Sequence, residues 1–313
     1  MLSPLSIVLP IFALIFAGWL ARRGGALGPG ATRELNRFVV YLALPALLFG
    51  IMARAEPREV WHPGFIAAFT AGCALAFGLT LWLSMRQGRP LADAALDGLN
   101  ASYANTGFLG FPLILAVLGE TGLGLTLVAT IVTVAVLFAV AILLVEFSLQ
   151  SGRRGREIAL KTLGGLARNP LLIAPAAGAA VMASGHHLPE QADRFLTLLG
   201  SAAAPCALVT LGCFLAETPR RPAAGGERAN LAALVSLKLA VQPLATWIVA
   251  VPVLQLPGSV AQAAVLLAAL PTGTGPFMLA EFYGRDALMT GRVILATTVL
   301  SVATLTGYLA LAA

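Results

Sequence analysis

The sequence predicts an all-α polytopic membrane protein with ten transmembrane helices, arranged as two inverted five-helix repeats with broken helices four and nine. Three observations lead to this prediction. Hydrophobic residues make up 58% of the 313 residues and charged residues only 11%, whereas an ordinary soluble domain carries about 25% charged residues. The apolar residues form long runs, and prolines recur at matching places in the two halves. A soluble enzyme, a disordered protein and a nucleic-acid-binding protein are therefore disfavoured.

The apolar runs define the predicted helices. A spanning helix needs about 20 mostly apolar residues. The sixth run is short and rich in small residues, which favours close contact between helices in lipid. The predicted helices cover residues 4–21, 35–52, 63–85, 94–118, 122–148, 169–184, 195–216, 229–251, 259–283 and 287–311.

The basic residues predict the orientation. No Lys or Arg precedes the first run, and Arg22 and Arg23 follow it, which is the reverse of a secretory signal peptide. With the N-terminus outside, the short loops of the other side collect all Lys and Arg except Lys238, inside a helix, and Arg54, Arg58 and Arg194. The positive-inside rule makes that richer side cytoplasmic. Both termini are therefore predicted to be extracytoplasmic, in the plasma (inner) membrane, and the loop 149–168 cytoplasmic.

The two halves of the chain predict an internal repeat. Five predicted helices precede the loop 149–168 and five follow it, so two repeats would enter the membrane from opposite faces. Pro45 and Pro112 are 67 residues apart in the first half, and Pro205 and Pro271 are 66 residues apart in the second. Inverted repeats of this kind are typical of secondary transporters.

Helices four and nine carry the candidate site. Their centres read NTGFLGFP at 105–112 and PTGTGP at 271–276, and proline and glycine both disfavour a continuous helix. Pro112 and Pro276 are predicted to begin second half-helices, whose free N–H groups and positive dipole ends would bind a carboxylate. Two kinked helices without a ligand are the alternative. The candidate substrate-binding residues are Asn105, Thr106, Gly107, Gly110, Pro112, Pro271, Thr272, Gly273, Thr274, Gly275 and Pro276.

Charged residues inside the predicted spans are few. Asp97, Glu146 and Glu281 lie near predicted cytoplasmic ends rather than at the centre, which disfavours a cation pump. Lys238 lies about nine residues into helix eight. It is interpreted as an anion-attracting charge, as snorkelling to the cytoplasmic surface, or as a partner of Asp97 or Glu281. Gln242, one turn further on, is predicted to face the same cavity, and both are candidate substrate-binding residues.

Cysteines and histidines give no further site. Cys73, Cys206 and Cys213 lie inside apolar runs and are interpreted as packing residues. His186 and His187 fall in a short external loop and are interpreted as solvated. Neither a metal nor a cofactor is predicted.

The motifs NTGFLGFPL in helix four and PTGTGPFMLAEFYG in helix nine resemble the auxin efflux carrier family. This family includes the plant PIN carriers and bacterial malonate or malate permeases, and the resemblance covers essentially the whole chain. It points to Asn105, Gly107, Pro112, Pro271 and Pro276 as site positions. The chain lacks the long hydrophilic loop of many plant members, so regulation through that loop is not carried over.

The resemblance also implies that the helices form two domains with different roles. Helices one, two, six and seven, in 1–52 and 169–216, would form a scaffold that makes a homodimer. Helices three to five and eight to ten, in 63–148 and 229–311, would form a moving transport domain. Helices four and nine would cross at their breaks.

The predicted function is secondary transport of a small organic anion, such as malonate, malate or an auxin-like acid. The substrate would be held where helices four and nine cross and carried by an elevator-type movement. The main alternative is a Na⁺-coupled symporter of the bile-acid type, because carbonyls freed at the two breaks could bind Na⁺ without a carboxylate. A non-transporting receptor is less favoured. A channel and a membrane enzyme are disfavoured, and the lipid bilayer and the anion are the predicted partners.

Overall fold

The computed structural model describes residues 4–55, 61–149, 169–185, 188–217 and 225–312, and within these ranges the chain is helical without a β-strand. We number the helices α1 to α10 and divide the two interrupted ones into halves. Their bounds are Pro4–Arg23 (α1), Ala31–Arg54 (α2), Pro63–Arg86 (α3), Leu91–Ser102 (α4a), Thr106–Leu118 (α4b), Glu120–Leu149 (α5), Pro170–Ser184 (α6), Glu190–Glu217 (α7), Gly226–Val253 (α8), Gly258–Ala268 (α9a), Gly275–Phe282 (α9b) and Ala287–Ala312 (α10).

Each predicted helix overlaps one of these helices or a pair of halves. Most of the predicted loop 149–168, the pair His186 and His187, and Arg58 lie outside the described residues. Cys73 and Cys213 are buried within helices, and Cys206 is half-buried. Their positions agree with the packing role predicted for them.

The helices have the composition of a protein that lipid surrounds. Within the described ranges, α2, α3, α5, α7, α8 and α10 are long and apolar enough to cross a membrane, and α4b, α6 and α9a are shorter apolar helices. Large apolar side chains such as Phe16, Leu198 and Val299 point outward. The chain is therefore an integral, polytopic membrane protein. The count of ten spans stays a prediction.

Two helix pairs pack unusually closely. α1 lies along α7, and α2 lies along α6. A Cβ atom added to Gly18 of α1 would collide with the backbone of Val209, and one added to Gly178 of α6 would collide with the carbonyl oxygen of Phe49. Small residues allow helix backbones to approach each other in this way, which increases the packing contact available in lipid.

Three helix prolines follow π-helical turns. The turns Val39–Ala43, Thr106–Gly110 and Leu237–Val241 each end two residues before a proline: Pro45, Pro112 and Pro243. Proline has no N–H and clashes with the carbonyl four residues earlier in a regular α-helix. In each case that carbonyl belongs to the π-helical turn, whose extra residue widens the helix, relieves the clash and lets the helix continue.

Candidate functional site

The two breaks lie side by side and pair through their backbones. The Asn105 amide donates a hydrogen bond to the Pro271 carbonyl at 2.9 Å, and the Gly273 amide donates to the Tyr103 carbonyl at 3.0 Å. These bonds join Ala104 and Thr272 in a short antiparallel bridge. Interrupted backbone at membrane depth needs partners within the protein, and here the two breaks supply partners to each other.

A cavity of about 350 Å³ opens beside the paired breaks. It is lined by break residues, by the first turns of α4b and α9b, by Thr130 and Val134 of α5, and, on the facing wall, by residues of α2 and α7. Within the described ranges, the lining contains no charged side chain. Of the predicted site residues, those that line the cavity are Asn105, Thr106, Gly107, Thr274 and Gly275.

The first turn of α4b presents unused hydrogen-bond donors to this cavity. The Thr106 amide donates to the Ala104 carbonyl at 2.8 Å, and the Leu109 amide donates to the Asn105 carbonyl at 3.0 Å. The amides of Gly107 and Phe108, between them, lie where a helix offers no internal acceptor. The start of α9b, at Gly275, lines the same cavity. Two positive helix ends therefore meet there.

The Thr106 side chain adds a further donor. Thr106 is fully buried, and its hydroxyl oxygen has no hydrogen-bond partner in the protein. A buried hydroxyl without a partner is uncommon, because leaving it unpaired costs free energy. Thr106 is the first residue of α4b and lines the cavity, so its unpartnered hydroxyl lies at that helix end.

The predicted start of the second half-helix is wrong for helix four. The half-helix α4b begins at Thr106 rather than at Pro112, which lies inside it beyond the π-helical turn. The turn accommodates the proline, so the proline does not mark the helix start. Pro276 fits the prediction more closely, as the second residue of α9b.

Several predicted site residues do not line the cavity: Gly110, Pro112, Pro271, Thr272, Gly273 and Pro276. The Thr272 hydroxyl donates to the Asn100 carbonyl at 2.7 Å, and its amide donates to the Thr297 hydroxyl at 3.1 Å. A Cβ atom at Gly110 would stand 3.0 Å from the Leu267 side chain of α9a. Thr272 therefore ties the second break to α4a and α10, and Gly110 lets α4b approach α9a closely.

Lys238 and Gln242 also lie away from the cavity lining, behind the breaks. The Lys238 ammonium donates to Gln242 Oε1 at 2.6 Å and to the Ala268 carbonyl at 2.8 Å. Lys238 is fully buried, so the snorkelling interpretation is wrong. The pairing with Asp97 is also wrong, because Asp97 pairs instead with Arg89, at 2.8 Å. Glu281, the other proposed partner, lines a separate pocket with Arg33 and other residues.

Sequence reasoning missed Tyr103 and the facing wall. The Tyr103 ring packs on Phe138 with centroids 5.7 Å apart. Its hydroxyl lies beside Gly275, since a Cβ atom there would stand 2.7 Å from it. An aromatic residue directly before the break was the available signal. No sequence signal marked Leu47 of α2 or Ala204 of α7 as cavity-lining, because the pattern of an apolar helix does not distinguish residues that face a cavity from residues that face lipid.

Comparison with known proteins identifies the class. A family model described as membrane transport protein matches residues 5–309. The chain is 34% identical, over 97% of its length and 94% of the relative's, to a Rhizobium meliloti protein provisionally named a malonate transporter. It is 26% identical to an uncharacterised transporter of Escherichia coli, over 94% of this chain and 92% of the relative.

A plant relative completes the comparison. Auxin efflux carrier component 8 of Arabidopsis thaliana is 25% identical over 89% of each chain. The protein is therefore a membrane transporter and not an enzyme. Within that class, the chain belongs to the auxin efflux carrier family, which confirms the resemblance seen in the two motifs.

Proposed function

We propose that the protein is a secondary transporter of a small organic anion that binds at the first turns of α4b and α9b. One observation carries the proposal: two helix N-termini line one cavity whose described lining has no charged side chain, and Thr106 at one of them has a buried hydroxyl without a partner. Free N–H groups and the positive ends of helix dipoles bind carboxylates without help from Lys or Arg.

The rest of the lining supports a small substrate with a short carbon skeleton. Leu44 and Leu47 of α2, Phe111 of α4b and Ala204 of α7 form apolar walls. A volume of about 350 Å³ is at the lower end of the range for small-molecule pockets. We therefore favour a carboxylate such as malonate or malate over a larger auxin-like acid. The name given to the Rhizobium meliloti relative points the same way.

An elevator-type movement is consistent with how the cavity is built. In this proposal, helices α3–α5 and α8–α10, in 63–148 and 229–311, form the transport domain. Helices α1, α2, α6 and α7, in 1–52 and 169–216, form the scaffold. The substrate would bind to α4b and α9b of the first group, against a wall of α2 and α7. The close α1–α7 and α2–α6 packing supports a scaffold that stays together.

The contacts also support an inverted repeat of five helices. Exchanging the two halves of the chain turns the α1–α7 contact into the α6–α2 contact, and both contacts are close. The two breaks pair reciprocally, each donating one amide to the other. We extend the proposal to ten spans, to a plasma-membrane location with both termini outside, and to a homodimer built through the scaffold.

Uptake into proteoliposomes tests the function. The purified protein is reconstituted and offered labelled mono- and dicarboxylates, malonate and malate among them, with and without Na⁺ and a pH gradient. We expect saturable uptake of at least one small carboxylate, above that of protein-free liposomes. If no carboxylate moves under any of these conditions, the proposed function is wrong.

A further inference from the structure

The side of the breaks opposite the anion site carries the other ends of the broken helices. The half-helix α4a ends at Ser102 and α9a ends at Ala268. The last carbonyl groups of a helix have no internal donor, and together they form the negative end of the helix dipole. Two such ends meet behind the breaks, so this region needs donors or a positive charge.

Lys238 and Gln242 of α8 supply both. The Lys238 ammonium donates to the Ala268 carbonyl at 2.8 Å and to Gln242 Oε1 at 2.6 Å. Gln242 Nε2 then donates to the Ser102 carbonyl at 3.0 Å. Both side chains are fully buried. The two residues therefore form a continuous bridge between the C-terminal ends of α9a and α4a.

Three other carbonyls at the breaks also have donors. The Asn100 carbonyl accepts from the Thr272 hydroxyl at 2.7 Å. The carbonyls of Tyr103 and Pro271 accept from the amides of the opposite break. A Na⁺ ion bound at broken helices uses such carbonyls and helix C-terminal ends. At these three carbonyls, and at those of Ser102 and Ala268, the protein's own donors take that place, which disfavours the Na⁺-coupled alternative.

A buried charge is tolerated only where nearby groups compensate for its lost hydration. The described ion pairs do not include Lys238, and its hydrogen-bond acceptors are the Gln242 amide oxygen and the Ala268 carbonyl. The negative ends of α4a and α9a therefore supply the compensating charge. This arrangement suits a cation that is part of the chain and cannot leave.

We propose that the Lys238 ammonium is a built-in cation that joins the C-terminal ends of the two half-helices in place of a free coupling Na⁺. The inference rests on the proposed transport function and adds its ion requirement: uptake does not need Na⁺. Lys238 does not touch the anion in this proposal. It is a positioning residue that keeps the breaks, and thus the two N-terminal ends in front of them, in register.

The wild-type protein provides the first test. Uptake of radiolabelled malonate into proteoliposomes is measured in Na⁺ buffer and after complete replacement of Na⁺ by choline. We expect the initial rates to agree within about twofold, a difference too small for the loss of a required ligand. Uptake that disappears without Na⁺ would overturn the proposal, and this test does not depend on any variant being stable.

Two substitutions at Lys238 provide the second test. Lys238→Ala removes the charge and leaves space, whereas Lys238→Met removes the charge but fills the space. Loss of charge-assisted hydrogen bonds of this kind should lower uptake roughly 10- to 100-fold in both variants. Added methylammonium, ammonium or Na⁺ should restore several-fold uptake to Lys238→Ala only. A residue needed only for packing would show no such cation response.

Lys161→Ala is the matched control, because Lys161 is the only other lysine in the chain. It should keep wild-type uptake and show no response to added cations. Folded Lys238→Ala with wild-type uptake, or with reduced uptake that no cation changes, would contradict the proposal. The same is true if Lys238→Met transports normally.

A thermal measurement separates this inference from the proposed function. If the wild-type protein moves no carboxylate, the transport proposal fails, and the bridge is then tested by unfolding in detergent. Methylammonium should raise the unfolding temperature of Lys238→Ala but not that of the wild-type protein or Lys238→Met. An equal change in unfolding temperature for all three proteins would show that the Lys238 ammonium does not occupy a cation site.

Discussion

Replacing Thr106 by valine tests the anion site most directly. Valine keeps the branched shape of threonine and removes only the hydroxyl. In the protein this hydroxyl is buried without a partner at the first residue of α4b. Its removal therefore breaks no internal hydrogen bond. If it donates to a carboxylate, its loss costs about 1.5–3 kcal/mol of binding free energy, or a roughly 10- to 100-fold higher Kd.

The same change should make the empty protein more stable. An unpaired buried hydroxyl costs about 1–3 kcal/mol, and valine removes that cost, so the unfolding temperature in detergent should rise by a few degrees. Weaker binding together with higher stability is the expected signature of a residue kept for function. Malonate binding by scintillation proximity and thermal unfolding measure the two effects on the same samples.

Thr126→Val is the matched control. Thr126 is also buried, but its hydroxyl donates to the Gly122 carbonyl at 3.1 Å and it does not line the cavity. Its substitution should leave malonate affinity within about twofold while slightly lowering stability. If folded Thr106→Val binds malonate as tightly as the wild-type protein, the anion does not sit at the start of α4b and the reasoning fails.

Three further predictions concern the glycine, proline and loop positions. Gly275→Ala would place a Cβ atom 2.6 Å from Tyr103 Cζ, so the displaced ring should lower malonate affinity roughly 5- to 100-fold; Gly258→Ala, which meets no atom within 4 Å, is the control. Pro112→Ala should leave malonate affinity within about twofold of wild type, because Pro112 does not line the cavity. A larger loss in binding assays would show that Pro112 contributes to the anion site. A cysteine at Gly155 should resist an impermeant reagent in intact cells, and labelling there would reverse the predicted orientation.

The sequence was sufficient to predict the helices and the location of the breaks. Apolar runs and the clusters around Asn105 and Pro271 are local signals, and the helices and their interruptions follow local rules. The start of α4b was mistaken for the same reason. Proline commonly opens a helix, but the π-helical turn Thr106–Gly110 lets Pro112 stand inside one, and a π-helical turn has no clear sequence pattern.

The role of Lys238 could not be read from the sequence. Its acceptor is the backbone carbonyl of Ala268, 30 residues away, and Gln242 reaches Ser102, 140 residues away. Backbone carbonyls carry no residue signature, so a search for acidic partners led to Asp97 and Glu281. The walls from α2 and α7 were missed for a related reason: tertiary packing selects which apolar residues face a cavity, and the apolar pattern alone does not.

Two broken helices side by side leave two C-terminal ends with unpaired carbonyls and two N-terminal ends with unpaired amides. In the described part of the chain, the protein provides side-chain partners for the first pair of ends and not for the second. The C-terminal ends of α4a and α9a accept hydrogen bonds from Lys238 and Gln242. The N-terminal ends of α4b and α9b face the cavity, where Thr106 has no partner for its hydroxyl. In the proposed mechanism an anion is the missing partner. The positive charge that selects it then lies in the backbone, which explains how a motif of glycine, threonine and proline can bind an anion without arginine.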